Sequence, residues 1–217
     1  MVPFDNAPER ALDWHNAGQG AALATVIETW GSAPRQAGAM LAVSGIGEMV
    51  GSVSGGCVEG AVVMEAMDAL EDGAPRVLEY GVSDNDAFSV GLACGGTIRI
   101  LVEPVGQAMP VEMLTRITQA RADRTRLTYA VNTRSWSREI SQDQYLERYA
   151  SDRSGFEEDG ETFVTVHNPP LRLAIVGAVH IAQALVPMAR VQVVRTNTRP
   201  FFVRPTDCAH VVNRRSR

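Results

Sequence analysis

Two adjacent prolines, Pro169 and Pro170, divide the sequence into a long part and a short part. Proline has no backbone N–H and restricts the residue before it, so this step interrupts regular strand pairing and predicts a linker. Residues 171–217 are too few for a complete doubly wound domain, which needs on the order of 100 residues or more. We therefore expect one domain over residues 1–167 and a partial domain over residues 171–217.

The composition is that of an ordinary globular protein, with 45% hydrophobic and 21% charged residues. No apolar run approaches the roughly 20 residues that a membrane span needs, and the first residues lack the features of a signal peptide. We expect a cytoplasmic protein in which Cys57, Cys94 and Cys208 are thiols. All 20 basic residues are arginines, which excludes enzymes that depend on a Schiff-base or P-loop lysine.

Arginines accumulate in the last part of the chain, where Asp207 is the one acidic residue after position 190. A basic tail on an acidic body can indicate nucleic-acid binding. This tail has no helical periodicity, no zinc-ligand pattern and no aromatic interleaving beyond Phe201-Phe202. We predict neither a nucleic-acid partner nor a membrane partner.

The apolar periodicity of the long part predicts a mixed α/β domain. Helices are predicted over residues 8–17, 57–70 and 112–122. Strands are predicted over residues 21–29, 39–43, 48–53, 76–80, 97–103, 127–131, 138–141 and 162–167. The hydrophilic stretch 143–161 is predicted to be a mobile loop.

The short part begins like a dinucleotide-binding fold, with a predicted strand at 171–176, a turn, a helix at 181–190 and a second strand at 191–194. This order predicts the start of a Rossmann-like parallel sheet domain. We expect that domain to be truncated or frame-shifted, or else naturally short. In the last case the fragment would complete its sheet with the partner chain of a homodimer.

Gly177 and His180 lie in the turn where such a fold holds a dinucleotide. Val179 stands where the second glycine of the motif belongs, and that glycine is what lets the pyrophosphate approach the backbone. Asn197 stands where an acidic residue would hold the ribose. These departures argue against tight NAD(P) binding, although an NAD(P)-dependent oxidoreductase is the alternative function to weigh. His180 either caps the helix or faces a ligand.

A glycine pair separates a predicted strand from a predicted helix in Ser54-Gly55-Gly56-Cys57-Val58-Glu59. Glycines let backbone N–H groups face an anion with no Cβ in the way, and a helix N-terminus adds a positive dipole end. The alternative interpretation is a helix start with a buried, inert cysteine, because free cysteine is among the most buried residue types.

A second cysteine, Cys94, stands directly before another glycine pair, Gly95-Gly96. Close packing alone seldom requires a cysteine beside two glycines twice in one domain. Neither cysteine belongs to a C-x-x-C pattern, so a zinc site would need other ligands, such as His15, His167 or carboxylates.

Arg35 ends a tight loop, Gly31-Ser32-Ala33-Pro34-Arg35. A guanidinium on a rigid loop is suited to a bidentate grip on a phosphate or carboxylate. A surface salt bridge is the alternative interpretation.

The segments 31–35, 54–59 and 91–96 resemble the XdhC/CoxI family, the accessory proteins of xanthine dehydrogenase and aerobic carbon monoxide dehydrogenase. The resemblance covers residues 8–105 and again 171–190, and its three motifs stand in the family's order. It implies a cytoplasmic maturation factor, not an enzyme. Such a protein binds the molybdenum cofactor (molybdopterin) transiently, supports its sulfuration by a cysteine desulfurase and delivers it to an apo molybdenum hydroxylase.

The resemblance implies that cofactor-binding residues lie in all three segments: Arg35, Ser54, Gly55, Gly56, Cys57, Glu59, Cys94, Gly95 and Gly96. Molybdopterin carries a phosphate and a dithiolene-bound metal oxide, which glycine amides, a guanidinium and a thiolate would suit. Cys57 and Cys94 are candidate molybdenum contacts or persulfide carriers, and the residues leave both roles open. A sulfur-transfer enzyme that uses one of these cysteines is a third hypothesis.

Overall fold

A computed structural model describes residues 6–31, 35–81 and 96–169, the strands 172–175 and 211–214, and positions 180, 181, 183–185 and 188. The chain divides into two compact units, Met1–Asn168 and Pro169–Arg217.

The first unit combines helices with short strands. Its helices are α1 (Ala7–Asn16), α2 (Glu59–Asp72), α3 (Val111–Asp123) and α4 (Leu146–Ser151). Its strands are β1 (Ala21–Trp30), β2 (Met40–Ser44), β3 (Met49–Gly51), β4 (Arg76–Tyr80), β5 (Thr97–Pro104), β6 (Leu127–Asn132), β7 (Arg138–Ser141), β8 (Gly155–Phe156) and β9 (Thr162–His167). None of the helices in the described ranges is long and apolar enough to cross a bilayer.

The strands of the first unit form two sheets, and every pair of neighbouring strands is antiparallel. The first sheet has five strands in the order β3-β2-β1-β5-β4, and the second has four in the order β7-β6-β9-β8. The predicted mixed α/β composition is confirmed, and each predicted strand lies within a few residues of an observed one.

A packed core lies on each face of the first sheet, and β5 contributes side chains to both cores in alternation. Ile98, Ile100 and Val102 point to one face, where they pack with the apolar side of α2. Leu101 points to the opposite face, into a cluster that includes residues of α1, α3 and the second sheet. The loops that leave the sheet are therefore supported by a packed core on each side.

The stretch 143–161 contains two elements that the sequence prediction missed, α4 and β8. Tyr149 of α4 is buried, and its hydroxyl donates to the carbonyl oxygen of Ser141 at 2.7 Å. Phe156 of β8 packs edge-to-face on Phe163, with ring centroids 5.3 Å apart. A hydrophilic pattern hides both anchors because the surrounding residues remain exposed.

The second unit contains β10 (Arg172–Ile175) and β11 (Val211–Arg214), which pair in antiparallel orientation. The predicted Rossmann-like parallel sheet is therefore wrong for the described residues. The local sequence pattern predicts a strand followed by a helix. It does not predict the direction in which the strand pairs, because that depends on a partner strand distant in the sequence. The second predicted strand, at 191–194, lies outside the described residues.

His167, near the end of the first unit, is a buried neutral histidine. Its side chain is 5% exposed, and its Nε2 atom has no hydrogen-bond partner within the described ranges. Burial lowers the pKa of His167, helped by the positive charge of Arg121, to about 3.

We expect His167 to make the protein less stable as the pH falls from 6.5 towards 3. The unfolded chain takes up a proton near pH 6.5 while the folded chain does not, so stability present above that pH is lost below it. At pH 5 the cost is roughly 2 kcal/mol. In urea titrations, His167→Leu should flatten this slope, whereas His15→Leu should leave it in place. An unchanged slope in His167→Leu would contradict the assignment.

Candidate functional site

The loops that carry the glycine motifs adjoin the first sheet. β1 ends at Trp30, and β5 runs in the opposite direction along β1 and begins at Thr97. The register places Trp30 directly opposite Thr97, so the chain leaves β1 and enters β5 at the same end of the sheet. β3 runs in the same direction as β1 but ends at Gly51, which is aligned through Leu41 with Ala24, so the loop with Cys57 begins further back along the sheet.

Arg35 links two of these loops. Its Nε donates a hydrogen bond to the carbonyl oxygen of Ser52 at 3.1 Å, and its side chain is half-buried. Within residues 6–31, 35–81 and 96–169, no carboxylate forms a salt bridge with its guanidinium. The surface salt bridge considered as the alternative is absent there, so no described carboxylate occupies the outer nitrogens.

Glu59, the first residue of α2, folds back into the loop that precedes it and is only 6% exposed. One carboxylate oxygen accepts hydrogen bonds from the Ser52 hydroxyl and three backbone N–H groups, at distances of 2.7 to 3.2 Å. The other accepts from the Gly56 N–H at 2.8 Å and from the Ser54 hydroxyl. The backbone donors are consecutive: Val53, Ser54, Gly55 and Gly56.

Ser54 completes this network. Its Oγ accepts hydrogen bonds from the N–H groups of Cys57 at 3.0 Å and Val58 at 2.9 Å. Every N–H from Val53 to Val58 therefore has an acceptor within the loop. The glycine amides face an anion, as the residue pattern predicts, but that anion is the carboxylate of Glu59.

The carboxylate of Glu59 is held in its charged form. Burial alone would raise its pKa, but hydrogen bonds from Ser54 and Ser52 outweigh that effect and lower the pKa to about 2. Cofactor binding by Ser54, Gly55, Gly56 and Glu59 stays a prediction. A ligand that used these amides would have to displace Glu59, whereas a ligand held by other groups would leave the loop intact.

Cys57 is exposed and stands just before Val58, the N-cap residue of α2. The burial assumed in the alternative interpretation is therefore wrong for this residue. Its backbone is held by Ser54, so the loop presents the thiol to solvent. Whether Cys57 contacts molybdenum or carries sulfur stays a prediction.

The third motif is described only at its end. Gly96 is buried directly before β5, whereas Cys94 and Gly95 lie outside the described residues, as does Cys208. In the second unit, Gly177 also lies outside them, and His180 is helical and exposed. The described part of the chain contains no group of three or more His, Cys, Asp or Glu side chains that could hold a metal ion.

Sequence reasoning missed a cavity at the outer end of the first sheet, which we define as the end where Trp30 pairs with Thr97. It has a volume of about 330 Å³ and is lined by Glu28, Trp30, Glu79, Thr97 and Arg99. Trp30 is 76% exposed, although it ends a strand whose first seven residues are buried. An aromatic residue placed directly before the Gly31 loop was the signal that could have identified it.

Residues 14–81, which contain Arg35 and the loop closed by Glu59, match the model of the XdhC and CoxI family. These residues belong to the XdhC and CoxI family. The resemblance stated from the motifs is thereby confirmed for this segment.

Two curated relatives match part of the chain. The molybdenum cofactor insertion chaperone PaoD of Escherichia coli is 37% identical over 106 residues, which cover 48% of this chain and 33% of PaoD. A probable xanthine dehydrogenase component of Bacillus subtilis is 37% identical over 90 residues, covering 40% of this chain and 27% of that protein. The chain thus spans a third or less of the length of these relatives.

One solved structure supports the fold. The crystal structure of a xanthine dehydrogenase from Bacillus halodurans matches with a TM-score of 0.59 at 23% identity, covering 76% of this chain and 53% of that one. At this identity the match establishes the shared fold alone.

Proposed function

We propose that this protein binds the molybdenum cofactor and delivers it to an apo molybdenum hydroxylase. The observation that carries the proposal is the hydrogen bond from Arg35 to Ser52, which joins two of the motif loops, and Arg35 and the Cys57 thiol lack any carboxylate partner among the described residues. The similarity of about half the chain to an insertion chaperone supports a maturation factor rather than an enzyme.

The two groups suit two different parts of such a cofactor, the phosphate and the metal-bearing dithiolene. A guanidinium whose Nε is already fixed on Ser52 loses little conformational freedom when its outer nitrogens bind a phosphate. An exposed thiol can contact a metal centre, or carry a persulfide sulfur that a cysteine desulfurase donates. We assign phosphate binding to Arg35, and metal contact or sulfur transfer to Cys57 with Cys94.

The described residues give no support to a nicotinamide-dependent oxidoreductase. Such an enzyme would place the cofactor on a parallel sheet, whereas β10 pairs with β11 in antiparallel orientation. Val179 already argued against close approach of a pyrophosphate.

Removal of either group should weaken cofactor binding without unfolding the protein. Loss of one charge-assisted hydrogen-bonding partner costs about 1.5–3 kcal/mol, so Arg35→Gln should reduce affinity roughly 10- to 150-fold. Cys57→Ala and Cys94→Ala should each reduce cofactor retention. Anaerobic equilibrium dialysis against molybdopterin measures the affinity, and activation of an apo-hydroxylase measures delivery.

Arg116→Gln is the matched control, because Arg116 is an exposed cation on α3. Its affinity should equal that of the unmodified protein. Unchanged binding in Arg35→Gln and in both cysteine variants would sink the proposal. Mass spectrometry after incubation with a cysteine desulfurase and cysteine tests the sulfur-carrying role, which requires a persulfide on Cys57 or Cys94.

A further inference from the structure

We propose that Trp30 is the platform on which the pterin ring of the cofactor stacks, within the cavity at the outer end of the first sheet. This inference rests on the proposed function and names the part of the ligand that this cavity would bind.

The exposure of Trp30 distinguishes it from an ordinary core tryptophan. Trp14 of α1 is 4% exposed and packs in the core, whereas Trp30 leaves 76% of its surface open at the end of β1. One exposed apolar side chain needs no explanation by itself. Trp30, however, lines a cavity together with polar and charged groups, so an aromatic face and hydrogen-bonding groups are available to one ligand there.

The strand register puts the lining side chains on one face of the sheet. Trp30 lies opposite Thr97, and Arg99 lies between Glu28 and Glu79 on the flanking strands. Directly opposed residues of an antiparallel pair share a face, so all five side chains project to the same side. The remainder of that face is covered by α1, α3 and the second sheet, and the cavity lies beyond the covered part.

The two carboxylates of the cavity differ, because Glu28 forms a salt bridge and Glu79 forms none with the described residues. Arg99 forms a salt bridge with Glu28 at 2.7 Å, and its guanidinium lies 5.8 Å from the centre of the Phe156 ring. Glu79 is exposed and has no salt-bridge partner within the described ranges. A free carboxylate can accept both N–H donors on the aminopyrimidinone edge of a pterin, while the indole contacts the ring face.

The size of the cavity suits a ring rather than the whole cofactor. Its volume of about 330 Å³ lies at the lower end of the roughly 300–1,000 Å³ found for ligand pockets. Arg35, assigned above to the phosphate, ends the loop that Trp30 begins. One short loop would thus carry a group for each end of the ligand.

Trp30→Ala tests the stacking directly. Stacking of a heteroaromatic base on an aromatic side chain is worth enough that alanine substitution should reduce cofactor affinity roughly 5- to 150-fold. Trp30→Phe retains a ring face and should keep most of the affinity. Glu79→Gln should also weaken binding, because one acceptor oxygen becomes a donor. Ile46→Ala is the control, since Ile46 is an equally open apolar residue (69% exposed) in the turn at the opposite end of the sheet.

A pterin fragment separates the ring from the phosphate. In dialysis with the unmodified protein, 6-hydroxymethylpterin should compete with the cofactor, and the same fragment should not compete in Trp30→Ala. Arg35→Gln should weaken binding of the whole cofactor and leave competition by the fragment intact. Equal cofactor affinity in Trp30→Ala and the unmodified protein would overturn the inference while leaving the proposed function standing. No cofactor binding by the unmodified protein would overturn the proposed function itself.

Discussion

Arg138→Leu is expected to lower the free energy of unfolding by about 3–5 kcal/mol, because it leaves a buried carboxylate without its cation. The carboxylate is Glu103 of β5, which is 1% exposed and accepts hydrogen bonds from Arg138 Nε at 2.7 Å and the Tyr129 hydroxyl at 2.8 Å. Glu103 belongs to the first sheet, whereas Tyr129 and Arg138 belong to the second, so this cluster joins the two sheets. Urea-induced unfolding measures the loss.

The pH dependence and two controls identify the cause. Burial raises the pKa of Glu103, and Arg138 counteracts that effect. Without Arg138 the carboxyl takes up a proton more readily, so the loss should be smaller at pH 5 than at pH 8. Arg138→Leu combined with Glu103→Leu should recover most of the stability. Arg134→Leu, which breaks the exposed pair with Glu161, should leave the unfolding midpoint unchanged. An equally small effect of Arg138→Leu would refute the role of the cluster.

Glu59→Gln is expected to destabilise the protein by roughly 3 kcal/mol at pH 7, the free-energy equivalent of lowering a carboxyl pKa from 4.5 to about 2. The side chain keeps its size, but an amide NH₂ now faces backbone N–H donors of the loop. The carboxylate contributes its stability fully above pH 4.5, and that contribution is lost as the pH falls through 2. The variant should therefore unfold less steeply with acid between pH 4.5 and 2.

Glu71→Gln, on an exposed position of the same helix, is the matched control and should change neither stability nor acid sensitivity. If Glu59→Gln behaved like Glu71→Gln, the hydrogen bonds to Glu59 would contribute nothing measurable.

Cofactor dialysis on the Glu59→Gln variant is informative for function. Tighter binding would mean that the ligand competes with Glu59 for the glycine amides, and weaker binding would mean that Glu59 keeps the loop in its binding conformation.

The local patterns of the sequence predicted the elements of the first unit well. Strands such as β5 alternate apolar side chains over both buried faces, and helices such as α2 end at a glycine with positive φ, Gly73. The two elements that were missed, α4 and β8, each contribute one packed aromatic side chain, Tyr149 and Phe156. A pattern averaged over a hydrophilic stretch cannot reveal a single anchoring contact.

The sequence indicated the residues of the candidate site better than it indicated their arrangement. The motifs pointed to Arg35, Gly55, Gly56 and Cys57, and the structure brings the Arg35 and Cys57 loops together through the bond from Arg35 to Ser52. The sequence could not show that Glu59 would occupy the glycine amides, because a helix-start carboxylate can equally well point to solvent. Trp30 was missed because its exposure depends on where the second sheet stops covering the first.

The sequence by itself determined where most strands and helices of the first unit form, which segments carry glycine motifs, and that residues 14–81 belong to a known family. These properties follow from neighbouring residues, through side-chain periodicity and backbone freedom. The tertiary structure alone decided how strands pair, including the antiparallel pairing of β10 with β11 that replaces the expected parallel sheet. It also decided which polar groups are already bonded to one another. Strand pairing and the bonding of polar groups both depend on residues that are distant in the chain, and a local sequence pattern does not predict their contacts.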